Sequence, residues 1–488
     1  MARYYLAVDL GTTHVKAALA GEDGRLGPVV CRDTPVYTPF DGASEMDMEE
    51  TWQLFCQVTR QLLDGRRDLT ILGVGISGLG EGLWPVDEDG RPVRRAILWN
   101  DVRARELSLE DPNLDRLLVD RGITPLFPGA PPVILRWLKE REPESYRRVR
   151  WGCHSKDWLN FRLTGTMATD YSDASTATVE VRRREYYLPL FDRLGIGDKK
   201  NSMPPLFPSS QVVGTVNRQG ARESGIPQGT PVIAGALDAA AIALGAGVLE
   251  EGDACTVFGT CLANEMLIGE EQLDFSQTCG SHLLSALPTG YLRMMGTTSG
   301  CGCLDWARRL LAPDLSYQEQ EALIETVPPG SDGVVWHPYL SGERAPFKDA
   351  FATGGFFGLR AGQGRGHLLR AAYEGLICSL ADCYDHLPPV AGRCWLAGGG
   401  TQSALLCRMT ASVLGREVLR RPEKELGLQG IAALLRLGVE GRPLSLPEGP
   451  IQRFQPEEAL ARGLEKSRAL YSAAREAVSP WWTLLRRG

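Results

Sequence analysis

Apolar and polar positions along the chain fall into strand–turn–strand units separated by amphipathic helices. Residues 4–20, YYLAVDLGTTHVKAALA, carry two apolar runs flanking Asp9. Gly11-Thr12-Thr13 between them predicts strand, tight turn, strand. The segment Cys255 to Leu267, CTVFGTCLANEML, repeats the pattern around Gly259-Thr260. Two glycine-threonine hairpins half a chain apart suggest two related α/β domains facing a shared cleft. Helical spacing appears at Trp52, Phe55, Val58 and Leu62, after the acidic start EMDMEE that a helix N-terminus prefers. Ser155 to Gly165 reads as a helix closed by its C-terminal glycine. Gly235 to Gly247 reads as a glycine turn opening an alanine-rich helix, with the domain boundary beside it. Further on, His367 to Asp385 predicts a long helix, Trp395 to Gly400 a strand ending in glycines, and Ser403 to Leu414 another helix. Residues 440–455, rich in proline, glycine and charge, read as a loop before a last helix over about Glu457 to Ala477.

Composition narrows the class without naming a chemistry. The 488 residues suffice for two or three domains, and 43% hydrophobic with 23% charged residues is ordinary for a globular protein. A net charge of −7 and no basic block argue against a nucleic-acid surface. The twelve cysteines are scattered and read as reduced core thiols of a cytoplasmic protein. Cys301 and Cys303 form a C-x-C pair with no second pair at zinc spacing, so no metal role is assigned to them. No signal-peptide pattern and no run of about 20 apolar residues is present, so neither a secretory leader nor a membrane span is expected.

Several motifs carry candidate chemistry. Asp9-Leu10-Gly11-Thr12-Thr13 sets a carboxylate at a strand end beside open amides and two hydroxyls. Such a turn either is an ordinary hairpin or binds phosphate oxygens, with the carboxylate near magnesium; the second turn, Gly259-Thr260, favours the phosphate reading. Asp238 is the only acid from Thr230 to Leu244, at the start of a predicted helix. A first-turn carboxylate there is stabilised by the helix dipole, and partial desolvation with a fixed direction also suits a general base. Gly73-Val-Gly75-Ile-Ser-Gly78 matches the dinucleotide pattern G-x-G-x-x-G, but Gly80, Gly82 and Pro85 follow, so no helix can start there to meet a pyrophosphate. It predicts a strand, a glycine-rich crossing and another strand. Within the crossing, Glu81 reads first as a solvent-facing loop acid. Its alternative is an acceptor for a sugar hydroxyl, with Trp84 covering an apolar face. Neither a P-loop nor a protein-kinase catalytic loop occurs.

The ordered set of motifs resembles the FGGY family of carbohydrate kinases over roughly residues 4 to 435. The set runs from the Asp9 turn through Trp99-Asn100-Asp101-Val102-Arg103, Lys156-Asp157-Trp158 and Arg162-Leu163-Thr164-Gly165 to Gly235-Ala-Leu-Asp238 and Gly259-Thr260. It continues with Ser341-Gly342-Glu343-Arg344-Ala345-Pro346, Gly354 to Leu359, Arg370 to Gly375 and Gly398-Gly399. The resemblance implies an α/β fold of two ribonuclease-H-like domains, of the actin and hexokinase ATPase type, flanking a central cleft. They are expected at 1–246 (sugar and first phosphate turn) and 247–488 (nucleotide). It implies Asp238 as catalytic base and substrate contact, and Asp9 with Asp238 at the magnesium ion. Thr12, Thr13 and Lys16 are implied at the first phosphate turn and Gly259 and Thr260 at the second. Gly302, Gly399, Gly400 and Ser403 are implied at the nucleotide, with Ser403 replacing a common Asn. Gly80 and Glu81 align with the substrate pair, where D-xylulose kinases usually carry Met-His and glycerol kinases Arg-Glu. GLGEGLW looks more like kinases for L-xylulose and related ketoses, or for erythritol-like polyols; residue 239 is alanine where several relatives have Asn or Gln.

The resulting expectation is a cytoplasmic kinase using ATP and Mg2+ on a terminal hydroxyl of a small ketose or polyol. It would have no nucleic-acid or membrane partner, with room for a homodimer. The rivals are a D-xylulose kinase and a non-catalytic actin-like scaffold or sugar sensor. The retained Asp238 and the lack of an appended basic helix-turn-helix pattern argue against the latter two roles.

Overall fold

The computed structural model describes residues 2–66, 69–108, 111 and 113–485. Its contacts divide the chain into two units. The first comprises Met1–Leu249, Gly269–Leu292 and Glu425–Glu448; the second comprises Glu250–Ile268, Arg293–Lys424 and Gly449–Gly488. The expected halves are 1–246 and 247–488; by contacts, Gly269–Leu292 and Glu425–Glu448 group with the first unit. The latter segment does so through a late helix, Leu426–Glu440, that packs onto the sheet of the first unit.

That sheet places the strand Ala2–Leu10 at its centre. His14–Gly21 pairs with it antiparallel on one side, followed by Val30–Asp33; Leu69–Gly78 pairs parallel on the other, followed by Pro231–Ile233 and Val212–Thr215. The short strand Ala236–Leu237 also lies parallel to Leu69–Gly78. The first two strands form because continuous apolar runs meet at Gly11-Thr12-Thr13, and their inner residues Leu6, Val8, Leu10, Val15, Ala17 and Leu19 are buried. The helix Met48–Leu63 covers one face with Trp52, Phe55, Val58 and Leu62, and Asp47 caps it by accepting from the backbone N–H groups of Glu49 and Glu50. On another face, Gly73 and Gly75 lie under Leu435, Val439 and Ile431 of the late helix. A Cβ at Gly73 would come within 2.8 Å of Val439 Cγ2, and one at Gly75 within 2.8 Å of Ile431 Cγ2. The G-x-G-x-x-G run is thus a central strand whose missing side chains admit a helix, not a dinucleotide loop.

In the second unit, strands run in the order Tyr291–Gly296, Leu262–Ile268, Ala254–Phe258, Cys394–Ala397, Val418–Arg420 and Gln452–Phe454. The last of these corrects the loop expected over 440–455: Gln452, Arg453 and Phe454 pair antiparallel with Arg420, Leu419 and Val418. The final helix spans Glu458–Leu485, past the expected end near Ala477 and through Pro480. Packing overrides the proline there, because Trp482 is buried against Phe347 and Tyr339. Among the described residues no helix is long and apolar enough to cross a membrane, and no two cysteines are joined in a disulfide.

Candidate active site

Three strand ends lie side by side in the first unit. Leu10 pairs with Gly78, and Gly78 pairs with Leu237. The residues leaving these ends are gathered on one edge, the carboxyl edge of a parallel set, where α/β sheets bind ligands. They are Gly11-Thr12-Thr13, Leu79-Gly80-Glu81 and Asp238.

Asp9 precedes that edge by one residue. Its strand partners are Lys16 on one side and Ser77 on the other, and its Oδ1 accepts from Ser77 Oγ at 2.7 Å. Burial pushes the Asp9 carboxyl above its ordinary range, against the pull of Ser77 and the Lys16 charge. Asp238 opens the helix Asp238–Ala246, and its Oδ1 accepts from the Ala239 N–H at 2.6 Å. The residue keeps some solvent contact, yet its carboxyl is pushed up to about 7. Burial is the main cause, followed by the negative charge of Asp9, with Asp173 and Glu81 adding to it against the Ala239 hydrogen bond. A carboxylate poised near neutrality beside a second acid is the arrangement that a general base requires.

The first glycine-threonine turn is open to solvent at its tip. Thr13 is exposed and Gly11 and Thr12 half-buried, while the Gly11 N–H donates to His14 O at 2.9 Å and closes the turn. Thr34 Oγ1 donates to Thr12 O at 2.8 Å and braces the loop from behind. The Lys16 Nζ is paired with Glu425 Oε2 at 2.7 Å. Burial works against the lysine charge, and the Glu425 hydrogen bond and charge outweigh it, so its pKa is raised.

Gly80 and Glu81 sit at the same edge. A Cβ at Gly80 would collide with Leu237 Cδ1 and approach Asp173 Oδ1 to 3.2 Å, so a side chain there requires Leu237 to turn aside. Glu81 is half-buried with φ of +63°, a left-handed conformation uncommon for a non-glycine residue and found disproportionately at ligand sites. Trp84 does not join them. It is fully buried in the hydrophobic core of the first unit, because it lies on the strand Trp84–Val86 and points inward. The motif residue Trp99, to which no role was attached, does join: its Nε1 donates to Thr12 Oγ1 at 3.4 Å. Ser77, Glu425 and Asp173 were likewise not singled out by the sequence pattern.

In the second unit three glycine-bearing segments converge. The Gly302 N–H donates to Thr260 O at 3.2 Å and the Cys301 N–H to Gly259 O at 2.9 Å. A Cβ at Gly400 would lie 2.5 Å from Cys301 Sγ and 2.8 Å from Phe258 Cβ, whereas one at Gly399 would meet nothing within 4 Å. Thr260 and Gly399 are exposed. Ser403 is buried, and its Oγ caps the helix Ala404–Leu414 by accepting from the Leu406 N–H at 3.1 Å, which leaves the hydroxyl proton to donate elsewhere.

The model for the FGGY family of carbohydrate kinases, N-terminal domain, matches residues 4–245, and that for the C-terminal domain matches residues 255–437. The chain belongs to the FGGY family. As an FGGY kinase it is a sugar phosphotransferase that uses ATP. It is 30% identical over 446 residues to the xylulose kinase of Bacillus subtilis, covering 89% of this chain and 88% of the relative. It is also 30% identical to the L-xylulose/3-keto-L-gulonate kinase of Escherichia coli, covering 90% and 89%. Among solved structures, a ligand-bound xylulose kinase from Lactobacillus acidophilus has a TM-score of 0.90 at 23% identity, covering 99% of this chain and all of the other. That likeness speaks to the two-domain kinase fold.

Proposed function

We propose that this FGGY kinase phosphorylates a terminal hydroxyl of a four- or five-carbon ketose or polyol, with Asp238 as the general base. The observation that carries the reading is Asp238 itself, at the end of one strand and the start of a helix, beside Asp9 and with its carboxyl poised at about 7. A sugar hydroxyl is a weak nucleophile until its proton has an acceptor. Asp238 takes that proton as the hydroxyl oxygen bonds to the γ-phosphorus of ATP and the bond to the ADP oxygen breaks. Glu81 accepts hydrogen bonds from hydroxyls remote from the reacting one and fixes the sugar against the base. Thr12 and Thr13 offer hydroxyls and amides to phosphate oxygens. Gly259, Thr260, Gly302, Gly399 and Gly400 present backbone to the nucleotide, and Lys16 neutralises charge beside Asp9.

Two acids with raised pKa on one edge form an excess of negative charge that suits a divalent cation. Asp9 and Asp238 would hold Mg2+, which, when bound, offsets phosphate charge. The scattered cysteines are read as reduced thiols of a cytoplasmic enzyme, and sedimentation of the purified protein tests the homodimer. L-xylulose-like ketoses or erythritol-like polyols are the preferred substrates, because Gly80-Glu81 stands where D-xylulose kinases usually carry Met-His. The second reading, a D-xylulose kinase, is favoured by the name of the Bacillus subtilis relative. ADP release across a panel of L-xylulose, D-xylulose, erythritol and glycerol decides between them, and D-xylulose as clearly the best acceptor would overturn the preferred reading.

A further inference from the structure

Behind the substrate edge lies a buried ion cluster that the proposed chemistry does not use. Lys156, on the first turn of the helix Ser155–Thr164, has no solvent exposure and contacts Asp157 Oδ1 at 2.7 Å, Asp170 Oδ1 at 3.0 Å and Asp173 Oδ2 at 3.2 Å. The three carboxylates keep the lysine charged despite its burial.

From this anchor a directed chain of hydrogen bonds leads to the base. Asp170 Oδ2 accepts from Ser172 Oγ at 2.5 Å, from Ser209 Oγ at 2.7 Å and from the Ser172 N–H at 2.8 Å. Ser172 Oγ in turn accepts from the Leu237 N–H at 3.0 Å. A serine hydroxyl has one proton and Asp170 is an acceptor only, so Ser172 donates to Asp170 and its lone pair faces Leu237. Ser172 and Asp170 are both fully buried, so water does not compete for these bonds and each polarises the next. Leu237 is joined by one peptide bond to Asp238.

The same helix turn holds the other side of the edge. Ser155 Oγ donates to Leu79 O at 2.9 Å, immediately before Gly80 and Glu81. The spacing between Glu81 and Asp238 is thus referred to neighbouring residues of one helix start, Ser155 directly and Lys156 through Asp170 and Ser172.

We propose that Ser172 is a positioning residue for Asp238, holding the base through the Leu237 N–H at the end of a relay anchored on Lys156. The proposal rests on the reading of Asp238 as general base. A displaced base loses turnover while nucleotide binding in the second unit is left alone, which separates positioning from general loss of fold. Ser172→Ala is therefore measured alone and in the Asp238→Asn background, reading kcat and the KM for ATP with the best acceptor of the panel. Alone it should lower kcat about tenfold or more with the KM for ATP within about twofold. Added to Asp238→Asn it should cost little further, since the group it positions is already disabled. Normal kcat in Ser172→Ala beside an impaired Asp238→Asn would overturn the proposal and leave the base reading standing. So would a Ser172→Ala loss that persists in full in the Asp238→Asn background. Near-normal turnover in Asp238→Asn would overturn the base reading and the proposal with it. Should Ser172→Ala not accumulate as folded protein, Ser172→Cys keeps the shape with a weaker donor; a smaller fall in kcat is expected, and wild-type kcat would overturn the proposal.

Discussion

The two glycine-threonine turns each close an antiparallel hairpin and differ in what flanks them. Two residues before Gly11, Asp9 pairs with Lys16 on one neighbouring strand and with Ser77 on the other. Two residues before Gly259 the corresponding position is Val257, paired with Ala263 and Ala397. The first strand end is therefore a carboxylate held between a cation and a hydroxyl, and the second is aliphatic throughout. On the proposed function the two hairpins would serve two tasks: the first places charge that can move a proton or attract a cation, and the second offers backbone and the Thr260 hydroxyl. If this division of labour holds, substitutions in the first unit should change turnover and pH dependence. Those in the second should change nucleotide affinity alone.

The largest effect should come from the base. Asp238→Asn keeps the shape but cannot take the hydroxyl proton, so kcat should fall by at least about 10²-fold with the KM for ATP nearly unchanged. Steady-state kinetics with both substrates varied checks this, and a variant with near-normal kcat would remove the contrast at its root. Next comes Glu81→Ala, which should raise the KM for the sugar and lower kcat together, each by several-fold to about tenfold, because remote binding energy positions the reacting hydroxyl. Wild-type kinetics in that variant would return Glu81 to the role of a solvent-facing loop acid.

The pH dependence sharpens the comparison further. kcat/KM for the sugar reports the free enzyme, and Asp238 must be ionised to act, so this parameter should fall about tenfold per unit below its pKa of about 7. Stability runs the other way. The folded state keeps the Asp238 proton up to about 7 while an unfolded aspartate loses it near 4, so folded protein binds more protons in that window and loses stability as pH rises through it. Asp238→Asn should gain denaturant resistance over wild type at pH 8 and not at pH 4, and an equal difference at both would detach the raised pKa from this residue. The smallest effect belongs to the second unit. A methyl at Gly399 meets nothing within 4 Å, so Gly399→Ala should leave Tm unchanged. Any rise in the KM for ATP, expected to be a few-fold, then reports ligand approach directly; an unaltered KM would take Gly399 away from the nucleotide.

How much of this could be seen in the sequence depended on contrast with the surroundings. Asp9 and Asp238 stood out because each is a lone acid among apolar residues, and the glycine-threonine turns because they interrupt apolar runs. Asp170, Ser172 and Asp173 lie in TDYSDAS, which by composition looks like a surface loop; the partners that turn that stretch inward, Lys156, Ser209 and the Leu237 N–H, lie elsewhere in the sequence. Trp84 misled for the reverse reason, since a tryptophan among glycines suggests exposure while the strand it begins is buried. Ser403 aligned with a ligand position, but a serine directly before an apolar helix serves equally as its cap. The late helix LGLQGIAALLRLGVE carries no period to read, because residues 426–435 are buried all round and its glycines serve close contacts with other elements.

That helix bears on how the protein is made. A chain emerging from the ribosome completes every strand of the first sheet, and Asp9, Glu81 and Asp238 with it, long before residue 426 exists. Until then the flat face at Gly73 and Gly75 has no cover. The intervening segment Glu250–Ile268 and Arg293–Lys424, which builds the other unit, is synthesised while the earlier one waits. Domains ordinarily fold in order of synthesis; here an early part of the nascent chain is closed by a much later one. A message truncated between codons 238 and 426 yields a polypeptide with the acids of its reaction edge and without the lid of its own sheet, a natural client for chaperones and proteases.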